Sequence, residues 1–151
     1  MLDDIDRRVL RQLQADPSQP IGDLAEAARL PLATTYKRLD KLQAAGVLRG
    51  QHMVIDWRAL GYSVDVSLRI TLDKTNPRAF DEFIAAARDI PNVLEIQTFL
   101  GRVDIRLHVI AKGMSDYQRI YRDLILTLPH IADIEALMQV ATIKKAQELP
   151  L

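Results

Sequence analysis

The sequence predicts an α+β chain in two parts, a helical front followed by a helix-covered antiparallel sheet. Three observations lead there. Between Ile21 and Leu48 two short amphipathic segments break at Arg29-Leu30-Pro31, and the second closes on Ala45-Gly46-Val47-Leu48. From Val64 the period changes, because Val64, Val66, Leu68, Ile70 and Leu72 alternate strictly with Asp65, Ser67, Arg69 and Thr71, the pattern of a strand with one buried face. After that strand, two helical stripes are interleaved with three more apolar runs, giving the order βαββαβ.

In the front part, Ile5, Val9, Leu10 and Leu13 repeat at helical spacing between Asp4 and Gln14, and Asp16-Pro17-Ser18 ends that helix. Ile21, Leu24, Ala25 and Ala28 make the apolar face of a second helix, with Pro20 at an early position where its missing N–H costs nothing. In the third helix Thr35, Leu39 and Leu42 point inward, and Gly46 takes the left-handed conformation that closes it. Thr34 is its expected cap. The face away from the core holds Ala33, Thr34, Lys37 and Lys41, flanked by Tyr36 and Arg38. Val47-Leu48 and Met53-Val54-Ile55, interrupted by Arg49-Gly50-Gln51-His52, read as a two-stranded wing. Together these elements outline a winged helix-turn-helix over 1–61, with residues 56–61 as connector and Trp57 expected to staple the two parts.

In the second part, 62–151, Asn76-Pro77 starts a helix with Phe80, Phe83, Ile84 and Ala87 inward. Val93 to Leu100 and Val103 to Ala111 read as strands joined by a tight turn at Gly101-Arg102, with Gly101 as the turn glycine. Ser115 and Gln118 form the expected capping box of a helix striped by Tyr117, Ile120, Tyr121, Leu124 and Leu128. The two tyrosines read as core, and Ile131 to Ile143 is the last strand. One amphipathic sheet with both helices on one face is a ferredoxin-like sandwich; its other face needs a cover, most simply a second copy.

Composition narrows the function. With 151 residues, 48% of them hydrophobic, the chain has enough apolar surface for real cores. It has no apolar run of the ~18 to 20 residues that a membrane helix needs, and Asp3, Asp4, Asp6, Arg7 and Arg8 are too charged for a signal peptide. A cytoplasmic protein without membrane partners is therefore expected. The absence of cysteine excludes disulfides, thiolate metal sites and cysteine nucleophiles together. Formal net charge is zero, yet from Arg29 to Arg49 five basic residues (Arg29, Lys37, Arg38, Lys41, Arg49) face the single acid Asp40. Such a patch predicts salt-sensitive binding to double-stranded DNA, weak per subunit, so that a dimer or larger assembly is needed.

Lys37, Arg38 and Lys41 are the expected phosphate contacts, with Thr34 and Tyr36 near base edges and His52 at the wing tip. Arg38 also flanks the core, so its other reading is a pair with Asp40 or a helix-one carboxylate. No catalytic or metal-binding constellation stands out: His52, His108 and His130 lie far apart, and no Gly-rich phosphate loop, Ser elbow or HExxH occurs. No cofactor is expected, and the chain does not read as an enzyme.

These features resemble the Lrp/AsnC family, the feast/famine transcriptional regulators of bacteria and archaea. The likeness is carried by Leu2 to Asp16, by Leu24-Ala25, Arg38-Leu39 and Leu42 with Gly46-Val47-Leu48, by Leu60-Gly61-Tyr62 in the linker, and by Gly101-Arg102-Val103-Asp104 at the effector loop. The resemblance implies DNA-binding front domains, back domains that pair as homodimers and gather into rings or octamers, and a small-molecule effector, typically an amino acid. It places that effector near Gly101, Arg102, Val103 and Asp104. Three departures stand out. Pro31-Leu32 replaces a Ser-Pro start of the third helix, Arg102 and Val103 replace an acid and an aromatic, and Ile134-Glu135-Ala136 replaces hydroxyl residues. The changes at Arg102 and Val103 point to a carboxylate-rich ligand or to lost effector binding, and the change at 134–136 removes donors for an amino acid. An effector-independent DNA organiser is thus the alternative, and a siroheme decarboxylase-like enzyme a more distant one, since Glu95-Ile96-Gln97-Thr98 supplies no histidine, tyrosine or arginine.

Overall fold

A capping box opens the first helix, α1 (Asp4–Ala15): the Asp6 N–H donates to Asp3 Oδ1 at 2.8 Å and the Asp3 N–H donates to Asp6 Oδ2 at 3.1 Å. The computed structural model describes residues 2–145 and 148–151; of the expected spans 1–61 and 62–151, residues 1, 146 and 147 lie outside the described residues. Two compact units emerge, Met1–Val54 with Lys144–Leu151, and Ile55–Ile143. The expected boundary after residue 61 therefore falls inside the second unit.

In the first unit α1 is followed by α2 (Ile21–Ala27) and α3 (Leu32–Ala44). Val9, Leu10, Leu24, Ala28 and Leu42 are buried together, with Leu13 and Leu39 packed against them. Pro20 sits at the N-cap of α2, one step before the helix. Arg29 turns the chain out of α2 with a left-handed φ of 54°, allowing the Leu30 N–H to donate to the Ala25 carbonyl at 2.8 Å. The expected Thr34 cap does not form, because α3 begins at Leu32 with Pro31 as its N-cap and no side-chain capping bond. Gly46, at φ 69°, closes α3 and lets the Val47 N–H reach the Leu42 carbonyl at 2.9 Å.

The two runs expected to pair as a wing form no ladder. Residues 47–56 carry no strand, and Met53 and Val54 are 91% and 70% exposed. A lone two-stranded ribbon gains little in water; Leu48 packs against the core of the first unit, whereas Met53-Val54-Ile55 has no buried face. Residues 148–151 lie along α1 instead of extending the sheet: Arg11 Nε donates to the Leu151 carbonyl at 2.9 Å and the Leu149 N–H donates to Gln14 Oε1 at 2.6 Å.

The second unit contains β1 (Val64–Leu72), α4 (Ala79–Arg88), β2 (Val93–Thr98), β3 (Ile105–Ala111), α5 (Met114–Ile120) and β4 (Ile131–Met138). Its sheet runs β2-β3-β1-β4 with every pair antiparallel. Val66 opposes Val109, Leu68 opposes Leu107 and Ile70 opposes Ile105, and this face packs on Phe83, Ala87, Tyr117 and Ile120 of the helices. Four local expectations are corrected. α4 starts at Ala79, after Asn76 Oδ1 accepts the Arg78 N–H at 2.8 Å. Gly113, not Ser115, is the N-cap of α5, and no capping box forms there. A π turn over Tyr121–Ile125 follows α5. Its wider turn moves the stripe by one residue, so Ile125 is fully buried while Leu124 is only partly so. Finally β4 ends at Met138 rather than Ile143.

Trp57 meets His108 edge-on at 6.4 Å between ring centroids and carries the Arg58 guanidinium 4.1 Å over its ring. These partners all belong to the second unit. Among the described residues no helix is long and apolar enough to cross a membrane.

Candidate nucleic-acid interface and effector loop

The outward side of α3 exposes Ala33, Tyr36 and Lys37, with Thr34 half-buried beside them. Burying Thr35 and Leu42 fully, with Leu39 packed against the same core, sets this orientation. Tyr36 is 50% exposed, and Lys37 makes no ion pair among the described residues. Arg38 and Lys41 behave differently. Lys41 Nζ lies 2.6 Å from Asp6 Oδ2, and Arg38 pairs with Asp6 Oδ1 at 3.0 Å and with the Asp3 carboxylate. Asp6 is fully buried. Burial pushes its carboxyl pKa up, but Lys41, the Asp3 N–H and Arg38 together outweigh that and hold it at about 2.

Of the six expected DNA contacts, then, Tyr36, Lys37 and His52 are exposed and Thr34 is partly so, whereas Arg38 and Lys41 are occupied by α1 carboxylates. For Arg38 this is the second of its two readings. Lys41, expected as a phosphate contact, is half-exposed and already paired with Asp6. The residue that composition overlooked is Asp6, whose signal was a charged side chain on the inward side of the Ile5, Val9, Leu10 and Leu13 stripe.

The segment joining β2 to β3 is a loop over residues 99–104, not a two-residue turn, and the Phe99 N–H donates to the Asp104 carbonyl at 2.9 Å. Gly101 has no positive φ, so the turn does not depend on its conformational freedom. Gly101 and Arg102 are exposed and Val103 is half-buried. Thr71 Oγ1 donates to the Arg102 carbonyl at 3.1 Å. Asp104 is buried, accepting from the Leu72 N–H at 2.9 Å and pairing with Lys74 Nζ at 2.7 Å. Burial raises its pKa, yet Lys74 and the Leu72 N–H more than offset this and leave it below the ordinary value. The loop thus offers Arg102 outward, while the carboxylate expected to line a ligand pocket is engaged inside the unit.

On the face of the sheet away from the helices, Ser67 opposes His108 and Arg69 opposes Arg106, flanked by Glu95, Gln97 and Glu135. His108 Nε2 lies 2.8 Å from Asp65 Oδ1, Arg106 pairs with Glu95 at 3.3 Å and Arg69 with Glu135 at 3.7 Å. Reading β2 alone missed this gathering of histidine and arginines, because β1 and β3 supply them. The alternation of Arg106 and His108 with Leu107 and Val109 was its signal. Among the described residues no group of three or more His, Asp or Glu is placed to hold a metal ion.

Residues 65–149 match the family described as Lrp/AsnC ligand binding domain, and residues 2–49 match the one described as winged helix-turn-helix DNA-binding. The DNA-binding transcriptional activator DecR of Escherichia coli strain K12 is 28% identical over 151 residues, covering 100% of this chain and 99% of its own. The HTH-type transcriptional regulator AldR of Mycolicibacterium smegmatis is 34% identical over 118 residues, 78% of this chain and 69% of its own. A crystal structure of a Neisseria meningitidis transcriptional regulator in complex with L-Met shares the fold at a TM-score of 0.90, with 23% identity, covering 99% of this chain and 97% of that one.

Proposed function

We propose, from the premise that this chain belongs to the Lrp/AsnC family, that it regulates transcription from the cytoplasm as a self-associating DNA-binding protein that responds to an amino acid. It is a DNA-binding transcriptional regulator by family. The observation that carries its reading of DNA is the outward side of α3, where Lys37 stands unpaired among the described residues, beside Thr34 and Tyr36. A helix so presented suits the major groove, with phosphates in reach of Lys37.

Support for an amino-acid effector comes from the match to a ligand-binding domain over 65–149 and from the L-Met held by the Neisseria meningitidis regulator. Support for self-association comes from the sheet face of Ser67, His108, Arg69 and Arg106, which no helix of its own unit covers. An effector shifts DNA occupancy only by binding one assembly state better than another. No catalytic role is assigned to the chain.

The enclosure of Asp104 favours a second reading. With that carboxylate spent on Lys74 and Leu72, and Arg102 turned outward, the loop lacks an unengaged acid for a ligand's ammonium group. The effector-independent DNA organiser follows from this. Native mass spectrometry with and without the common amino acids, together with DNA affinity, separates the two. A retained amino acid with altered subunit number or affinity supports the regulator that senses one; no mass gain and no change in either leaves the organiser.

A further inference from the structure

We propose that Asp6 is a positioning residue for DNA recognition: it holds Arg38 and Lys41 against the body of the first unit, so that α3 meets phosphates through Lys37 and not through those two cations. The inference rests on the reading that α3 faces DNA. Asp6 is fully buried, and both of its carboxylate oxygens are in use, Oδ1 on Arg38 at 3.0 Å and Oδ2 on Lys41 at 2.6 Å and on the Asp3 N–H at 3.1 Å. Asp3 in turn accepts from Arg38. Two carboxylates at the start of α1 thus neutralise two of the five cations counted between Arg29 and Arg49.

Moving Lys41 or Arg38 onto a phosphate would leave the buried Asp6 carboxylate with one cation in place of two, and the loss of a partner by a buried charge is unfavourable. The phosphate offers less in exchange, because it sits in water and salt screens it. Both cations therefore stay on Asp6 when DNA binds. Their contribution to counterion release is small, and the non-specific pull of the reading head stays low. Discrimination between sites then rests more on the base-facing residues than on charge. The low pKa of Asp6 keeps it ionised, and the network closed, throughout the physiological range.

The test is the salt dependence of full-chain binding to a random-sequence duplex, read by fluorescence anisotropy. Lys37→Ala should lower the magnitude of the slope of log affinity against log salt by about 0.9 for each bound reading head, the value of one phosphate contact. Lys41→Met should change it by less than about 0.3, because that charge is already neutralised. Asp6→Asn should steepen it by about 0.9 for each bound reading head by releasing Lys41, and Asp6→Asn with Lys41→Met should restore the native slope. A Lys41→Met effect as large as that of Lys37→Ala overturns the proposal. So does an Asp6→Asn protein whose circular dichroism is native but whose slope is unchanged, or a double variant that stays steep. If Asp6→Asn does not fold, Lys41→Met decides alone, since Asp6 keeps Arg38 in that variant. An unmoved slope for Lys37→Ala removes α3 from the interface and takes this proposal with it, whereas a normal Lys37→Ala response with a failed Asp6 prediction removes the proposal only.

Discussion

The Lys74 ammonium stands 2.7 Å from the Asp104 carboxylate and joins the end of β1 to the loop before β3. Leu72 donates its N–H to the same carboxylate, and the Asp104 N–H donates to the Ile70 carbonyl, so one buried acid locks two neighbouring segments. Asp104→Ala orphans the Leu72 N–H and should cost about 2 kcal/mol. Lys74 is half-exposed and rehydrates, which keeps the loss below that of a fully buried pair. Asp104→Asn retains an acceptor and should cost about 1 kcal/mol. Urea unfolding measures both, and equal losses for the two substitutions would contradict the lock.

Acid should weaken the first unit through Asp6. Its folded pKa of about 2 lies below the ordinary 3.8, so the unfolded chain binds more protons between those values and stability rises with pH there. The full contribution, about 2 kcal/mol, is present above the unfolded value and is lost as pH falls through the folded one. Thermal unfolding followed from pH 5 to pH 2, read against Asp6→Asn, checks this. The variant should be less stable at neutral pH and show a flatter acid limb.

Gly46 and Gly101 should respond differently to the same substitution. A Cβ at either meets nothing within 4 Å, but only Gly46 has a positive φ, at 69°. Gly46→Ala should therefore cost about 1 kcal/mol in backbone strain. Gly101→Ala should lie within about 0.5 kcal/mol of the native protein. Chemical denaturation of the two variants side by side gives the comparison; a larger loss at Gly101 would mean that the loop needs its flexibility.

Phe83 is fully buried between α4 and the inner face of the sheet. Phe83→Ala leaves a cavity there and should cost about 3 to 5 kcal/mol. Calorimetry should show the second unit melting earlier. A loss near 1 kcal/mol would mean that the core collapses to fill the space.

Much of the fold was legible because burial imposes periods. Strict alternation over β1 and the 3.6-residue stripes of α1, α3 and α4 put Val9, Leu42, Leu68 and Phe83 in cores where they are found. The misses have local causes. Met53-Val54-Ile55 has the composition of a strand but is exposed and carries no ladder, so apolar character alone did not pair the wing. The π turn after α5 shifted the buried position from Leu124 to Ile125, and no residue type announces such a turn.

The site was legible in kind and not in pairing. Residue order established a basic α3, an outward face that includes Thr34 and Lys37, and a chain reversal near Gly101-Arg102, because each depends on neighbours a few positions apart. Whether a given charge is available is another matter. Asp6 and Lys41 are 35 residues apart along the chain and Asp104 and Leu72 are 32 apart, yet each pair is in hydrogen-bond contact. Only folding brings such groups within reach, and a few ångströms separate a cation offered to DNA from one neutralised inside its own domain.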